Sequence, residues 1–249
     1  MVDYVFKRYE LKYLLTKEQY YTVKSEVEKR LLPDRFGENT VQSLYYDTDD
    51  YRLIRTSIEK PLFKEKFRLR CYNLNDDDKV VYAEMKRKYD GVVYKRRVAC
   101  KEREAPDLLT DKNPTSQIAK ELAYFSSVYG NLQPKILILY DRAAFFATDC
   151  DLRVTFDKNI RYRTDDLNFY TSLDGKNLLS DDLVLMELKA GTALPLWLCN
   201  LLGKEHIYKT SFSKYGTAFG LEYKKRSTLL CLKRYLTTEQ FAQSLSLSR

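Results

Sequence analysis

Arg8-Tyr9-Glu10-Leu11-Lys12-Tyr13-Leu14-Leu15 alternates charged with apolar and aromatic side chains near the start of the chain. At the two-residue period of a β-strand, Arg8, Glu10 and Lys12 share one face and Tyr9, Leu11, Tyr13 and Leu15 the other. The apolar face seeks a core, so the charged face must line water. One such strand describes no more than a half-exposed sheet. The pattern returns, however, at Lys66-Phe67-Arg68-Leu69-Arg70, Glu84-Met85-Lys86-Arg87-Lys88, Arg153-Val154-Thr155-Phe156-Asp157 and Glu187-Leu188-Lys189. Five strands with one charged face each describe a built surface.

Working outward, Thr16 and Gln19 form a capping box ahead of Tyr20, Val23, Val27 and Leu31, which recur at helical spacing. A strand over 41–46 then runs into Asp47-Thr48-Asp49-Asp50, which reads as a solvated turn because it lacks the glycine and distal glutamate of a calcium loop. Residues 65–99 read as three strands, with Asp90-Gly91 as the signal for the second hairpin. The register of the third strand stays open, since Lys95, Arg96 and Arg97 are consecutive. A helix over 116–130 ends at Gly130. Short strands follow over 135–141, 143–148, 152–157 and 184–189, and an apolar helix over 194–202 surrounds Trp197. About eight strands in hairpin-like order imply an antiparallel α+β fold. Because open sheets leave edges, the expectation is a closed antiparallel β-barrel whose charged interior makes it a water-filled tunnel. Residues 1–223 form that domain, and 224–249 a C-terminal helical tail.

The chain has 249 residues, with 43 Lys and Arg against 35 Asp and Glu, a formal net charge of +8. That balance favours polyanionic partners. Five scattered cysteines and one histidine, His206, argue against a disulfide framework or a zinc site and point to a reducing cytoplasm. Met1-Val2-Asp3-Tyr4 shows no leader pattern and no apolar run reaches about 20 residues, so no membrane span is expected in this chain. No RNA- or DNA-binding signature occurs, which argues against nucleic acid as the partner.

If the charged faces converge, Arg8, Lys12, Arg68, Arg70, Lys86, Arg153 and Lys189 crowd one volume, joined by Lys95, Arg161, Arg163 and Lys214. Like charges about 4 Å apart repel by about 4 kcal/mol at an effective dielectric near 20, which a polyanion relieves. Arginine forks and lysine point charges suit a chain of phosphates. Glu187 and Glu10 are hard oxygen ligands for Mn2+ or Mg2+, with a salt bridge inside the barrel as the alternative for each.

The same motifs, together with Tyr45-Tyr46-Asp47-Thr48, Tyr140-Asp141-Arg142-Ala143-Ala144-Phe145 and Phe212-Ser213-Lys214-Tyr215, resemble in order the VTC-type polyphosphate polymerase domain of the CYTH or triphosphate tunnel metalloenzyme group. The resemblance implies an eight-stranded tunnel that binds ATP and transfers its γ-phosphate to inorganic polyphosphate with release of ADP. By position it implies that Lys12, Arg68, Arg70, Lys86, Arg153 and Lys214 hold phosphates, with Lys95 beside them, and that Glu187 carries the metal. The reaction needs positioning and charge neutralisation rather than a covalent nucleophile. Hydrolytic members resemble Glu-x-Glu-x-Lys on the first strand, whereas this chain has Arg8-x-Glu10-x-Lys12, which argues for polyphosphate handling. Ser211 stands where polymerases of this type carry a further lysine, which bears on turnover. Two alternatives remain: a metal-dependent triphosphatase, and a non-catalytic polyphosphate-binding module. The sequence leaves open a separate membrane partner that accepts the product.

Overall fold

The computed structural model describes residues 9–72, 80–90, 92–110, 116–191 and 193–223; Arg8 and the expected helical tail over 224–249 lie outside these. In chain order the elements are β1 (Tyr9–Thr16), α1 (Lys17–Glu28), β2 (Leu32–Pro33), β3 (Asn39–Asp47), α2 (Arg52–Ile58), β4 (Phe63–Tyr72), β5 (Val80–Tyr89), β6 (Val92–Lys101), α3 (Asp107–Thr110), α4 (Gln117–Tyr129), β7 (Gln133–Phe146), β8 (Leu152–Arg163), β9 (Lys176–Asn177), β10 (Leu183–Ala190), α5 (Leu196–Lys204) and β11 (Lys209–Thr210). A further helix occupies 214–223.

All strand pairs are antiparallel, and the 11-stranded sheet runs β11-β1-β10-β8-β7-β3-β4-β5-β6, with β2 beside β7 and β9 beside β8. The expected closed barrel is therefore incorrect: the sheet is open, with β11 at one edge and β6 at the other. The physical reason is local. β1 would have to close the ring, but the edge it turns away from β10 is partly taken by β11, through Lys12↔Thr210 and Tyr13↔Lys209. The sheet is nevertheless strongly curved. Lys86 of β5 reaches within 3.4 Å of Glu10 of β1, although those strands stand far apart in the ladder order. Its concave side is a trough.

Alternation assigns the faces. On the convex side, Leu11, Tyr13 and Leu15 of β1 pack with Val154, Phe156, Met186 and Leu188 under Val23 and Val27 of α1 and Leu198 and Leu202 of α5. A second convex cluster joins Phe67, Leu69, Val81 and Met85 to Leu122 and Phe125 of α4. α1 starts with the expected reciprocal Thr16–Gln19 cap. A third cluster fills one part of the concave side, where Ile136, Ile138, Tyr162 and Leu185 meet Ile54 of α2 and Tyr215 and Ala218 of helix 214–223. The ladder between β7 and β8 shifts register between Leu139 and Asp141, and Asn159 adopts φ 49°. That bulge lets Asp157 and Tyr162 share the concave side despite opposite parity. The remainder of the trough is charged.

Candidate phosphate site

Two carboxylate-centred clusters face each other across the trough. In the first, Glu84 of β5 is 1% exposed and lies 2.8 Å from Arg68, 2.7 Å from Lys95, 3.5 Å from Arg97 and 3.8 Å from Arg70. The pairing of Lys86 with Lys95 and of Glu84 with Arg97 settles the register left open in the sequence. Arg96 consequently points the other way, toward Glu121. Arg68 also donates to the Tyr45 hydroxyl at 2.9 Å and Arg70 to the Tyr140 hydroxyl at 3.3 Å. Burial raises the Tyr45 phenol, but Arg68, Lys66 and Arg70 outweigh it and bring it down to about 8.

The second cluster spans β1, β10, β8, β7 and helix 214–223. Asp157, fully buried, accepts both Arg142 nitrogens at 2.6 and 2.7 Å and Lys214 at 2.5 Å. Glu187 is held more loosely, by Lys12 and Lys214 at 3.5 Å each and Arg142 at 3.6 Å. Glu10 lies 3.4 Å from both Lys12 and Lys86, and these lysines, against the cost of burial, hold its carboxyl at about 2. Lys66, from β4, reaches Ser213 at 3.4 Å and so joins the two clusters.

Of the residues singled out from the sequence, the structure brings Lys12, Arg68, Arg70, Lys86, Lys95, Lys189, Lys214, Glu10 and Glu187 onto one concave face. Three are not brought in. Arg153 turns to Asp34 at 2.7 Å and is half exposed at the rim. Arg163 donates to the Asn168 carbonyl at 3.1 Å and faces Asp166. Arg161 similarly serves Asp141 at 3.7 Å. Arg8 lies outside the described residues. Arg142, Asp157, Lys66 and Arg97 join the face without having been given a role, although Arg142 and Asp157 sit inside motifs quoted above. Strand parity already pointed Lys66 inward. Asp157, in step with Arg153 and Thr155, was pointed inward as well; Arg142 carried no such signal, because the rest of its face on β7, Ile136, Ile138 and Tyr140, is apolar or aromatic.

Lys66 and Lys189 differ from the others. Neither has a carboxylate within 4.0 Å among the described residues. Burial, with neighbouring cations, holds both ammonium groups down at about 8. Lys95 is likewise lowered to about 8 by burial despite Glu84. Lys66 and Lys189, unlike Lys95, are kept in this state with no counter-anion beside them among the described residues.

A hard divalent cation takes one or two carboxylates and completes its shell with water and phosphate oxygens. Among the described residues no group of three or more His, Cys, Asp or Glu is arranged to hold a metal. Asp157 is saturated by short bonds. Glu187 and Glu10, whose contacts are all longer than a normal hydrogen bond, retain oxygens that such an ion could use.

The VTC domain model matches residues 7–223. No curated protein matches. Among solved structures, a "putative adenylate cyclase" from Bacillus halodurans superposes with TM-score 0.50 at 14% identity, covering 82% of this chain and 92% of that one. A second "putative adenylate cyclase", from Vibrio parahaemolyticus, gives TM-score 0.47 at 11% identity over 85% and 97% of the respective chains. The first likeness concerns the fold alone. With the family model covering most of its length, the chain belongs to the VTC domain family.

Proposed function

We propose that the protein is a polyphosphate polymerase that transfers the γ-phosphate of ATP onto a polyphosphate chain in the concave trough. The observation that carries this reading is the pair of half-buried lysines with no carboxylate beside them among the described residues, Lys66 and Lys189, set among Lys12, Arg68, Arg70, Lys86 and Lys214. Linear polyphosphate supplies evenly spaced negative charge along just such a surface. Arg68 and Arg70 grip phosphate oxygens with planar forks, while the lysines act as point charges around them. Held in line, the terminal phosphate of the chain is the nucleophile, so no protein nucleophile is required. Lys12 and Lys214, beside Glu187, stabilise charge that builds on the transferring group. Glu187, with Glu10, would hold Mn2+ or Mg2+, which supplies Lewis-acid neutralisation of the phosphate oxygens when bound.

The test is incubation of the pure protein with ATP and Mn2+, with products resolved by gel. Long phosphate chains together with ADP are expected. Orthophosphate without chains would replace this reading by triphosphatase activity, and polyphosphate binding without ATP consumption would replace it by a binding module.

A further inference from the structure

The concave ends of β4, β5 and β6 carry an aromatic group that phosphate handling does not use. Tyr72 follows Arg68 and Arg70 on one face of β4, Tyr82 lies opposite Arg70, and Arg97 opposite Glu84. The Tyr72 and Tyr82 rings meet edge to face at 6.0 Å. The guanidinium carbon of Arg97 stands 3.5 Å from the centre of the Tyr82 ring, a separation that requires the two planes to lie face to face. Arg97 is pinned further by the Tyr72 hydroxyl at 3.4 Å and by Glu84 at 3.5 Å. Among the described residues no contact is made with its opposite flat side, and the side chain is 37% exposed, next to Tyr72 at 36%. A second observation lies beside it. Among the described residues the Arg70 Nε, 3.8 Å from Glu84, and the Ser43 hydroxyl are buried without a hydrogen-bond partner, and the two residues are direct neighbours across β3 and β4. Buried donors left in this state call for an acceptor.

We infer that Arg97 and Tyr72 form the base subsite for the nucleotide donor, with a purine stacked on the outer face of the Arg97 guanidinium. Arg70 and Ser43 then receive the ribose or the first phosphate, and the triphosphate continues toward Arg68 and Lys66. Guanidinium planes and tyrosine rings both stack on bases, without reading their edges. This gives the trough a direction. Its other end opens at a cavity of about 500 Å3 lined by Lys60, Leu62, Lys64, Lys88 and Asp90, with no aromatic side chain among the described lining residues, and suits bare phosphate. The assignment rests on the trough being a triphosphate site.

The experiment compares affinities for ATP and for inorganic tripolyphosphate by calorimetry, without added metal. Arg97→Lys keeps the charge and loses the plane; Tyr72→Ala loses the wall. Each is expected to weaken ATP by about 5- to 150-fold while leaving tripolyphosphate unchanged. Tyr82→Phe keeps the ring under Arg97 and should match the unaltered protein for both ligands. Equal weakening of both ligands, or no change in ATP, would overturn the base subsite. If the unaltered protein bound neither ligand, the trough reading would fall first and the subsite with it.

Discussion

Glu84 shows how a single carboxylate organises this surface. It is almost fully buried, and Arg68, Arg70, Lys95 and Arg97 all converge on it. Removing one member of a buried ion cluster leaves the others unpaired. Glu84→Gln is therefore expected to lower stability by about 3 kcal/mol in chemical denaturation, with tripolyphosphate restoring a large part of it. Lys86→Ala should leave stability unchanged and weaken polyphosphate binding, because Lys86 is half exposed and its carboxylate contact, to Glu10, is 3.4 Å long. The pH response follows from the lysines held at about 8. An unfolded lysine keeps its proton to about 10.4, so between pH 8 and 10 the unfolded chain binds more protons and folding stability from these groups rises with pH. Over the same window the trough loses positive charge, and polyphosphate affinity should fall. Opposite slopes in a melting series and a binding series from pH 7 to 9 are the expected result; parallel slopes would mean that these lysines are not at the binding surface. Strand parity alone made most of these side chains legible. Arg142 escaped it because the other side chains on its face of β7, Ile136, Ile138 and Tyr140, are apolar or aromatic.

At the scale of elements, the acidic run after β3 was read as a solvated turn, yet Asp47 is fully buried. Its carboxylate accepts the Leu53 and Ile54 amides at 2.8 and 3.0 Å and the Tyr215 hydroxyl at 2.8 Å. It thereby joins the start of α2 to helix 214–223, whose first residue is Lys214. The seven residues of α2 are too few for helical periodicity to register, and the partner Tyr215 lies 168 positions away, so no local pattern could reveal either. Asp47→Ala should cost roughly 3 kcal/mol, since several charge-assisted bonds are lost together. It should also loosen Lys214 and weaken phosphate binding, while Asp49→Ala at the exposed neighbouring position does neither. The long β7 likewise absorbed what the sequence divided into two strands, because Asp141-Arg142 interrupts the apolar run but not the pairing with β3. The meander of β4, β5 and β6 was legible nearly to the residue, as its alternation and turn signals agree.

For the whole molecule, what the sequence could not carry was closure. Alternation states which face of a strand is wet and is silent on whether the outer strands meet. Here two residues of β11 sit on the free edge of β1, and the sheet curls until side chains, not backbone ladders, bridge it. Such a trough needs no threading of its substrate from an end, and its affinity for polyphosphate should drop steeply with added salt because charge is its main grip. The central claim is that the cationic concave face is where phosphate chains lie. Its most direct measurement is a crystal structure of the protein with tripolyphosphate. The anion is expected among Lys12, Lys66, Arg68, Arg70 and Lys189; a protein that bound it only on the convex side, around α1 or α4, would contradict that claim.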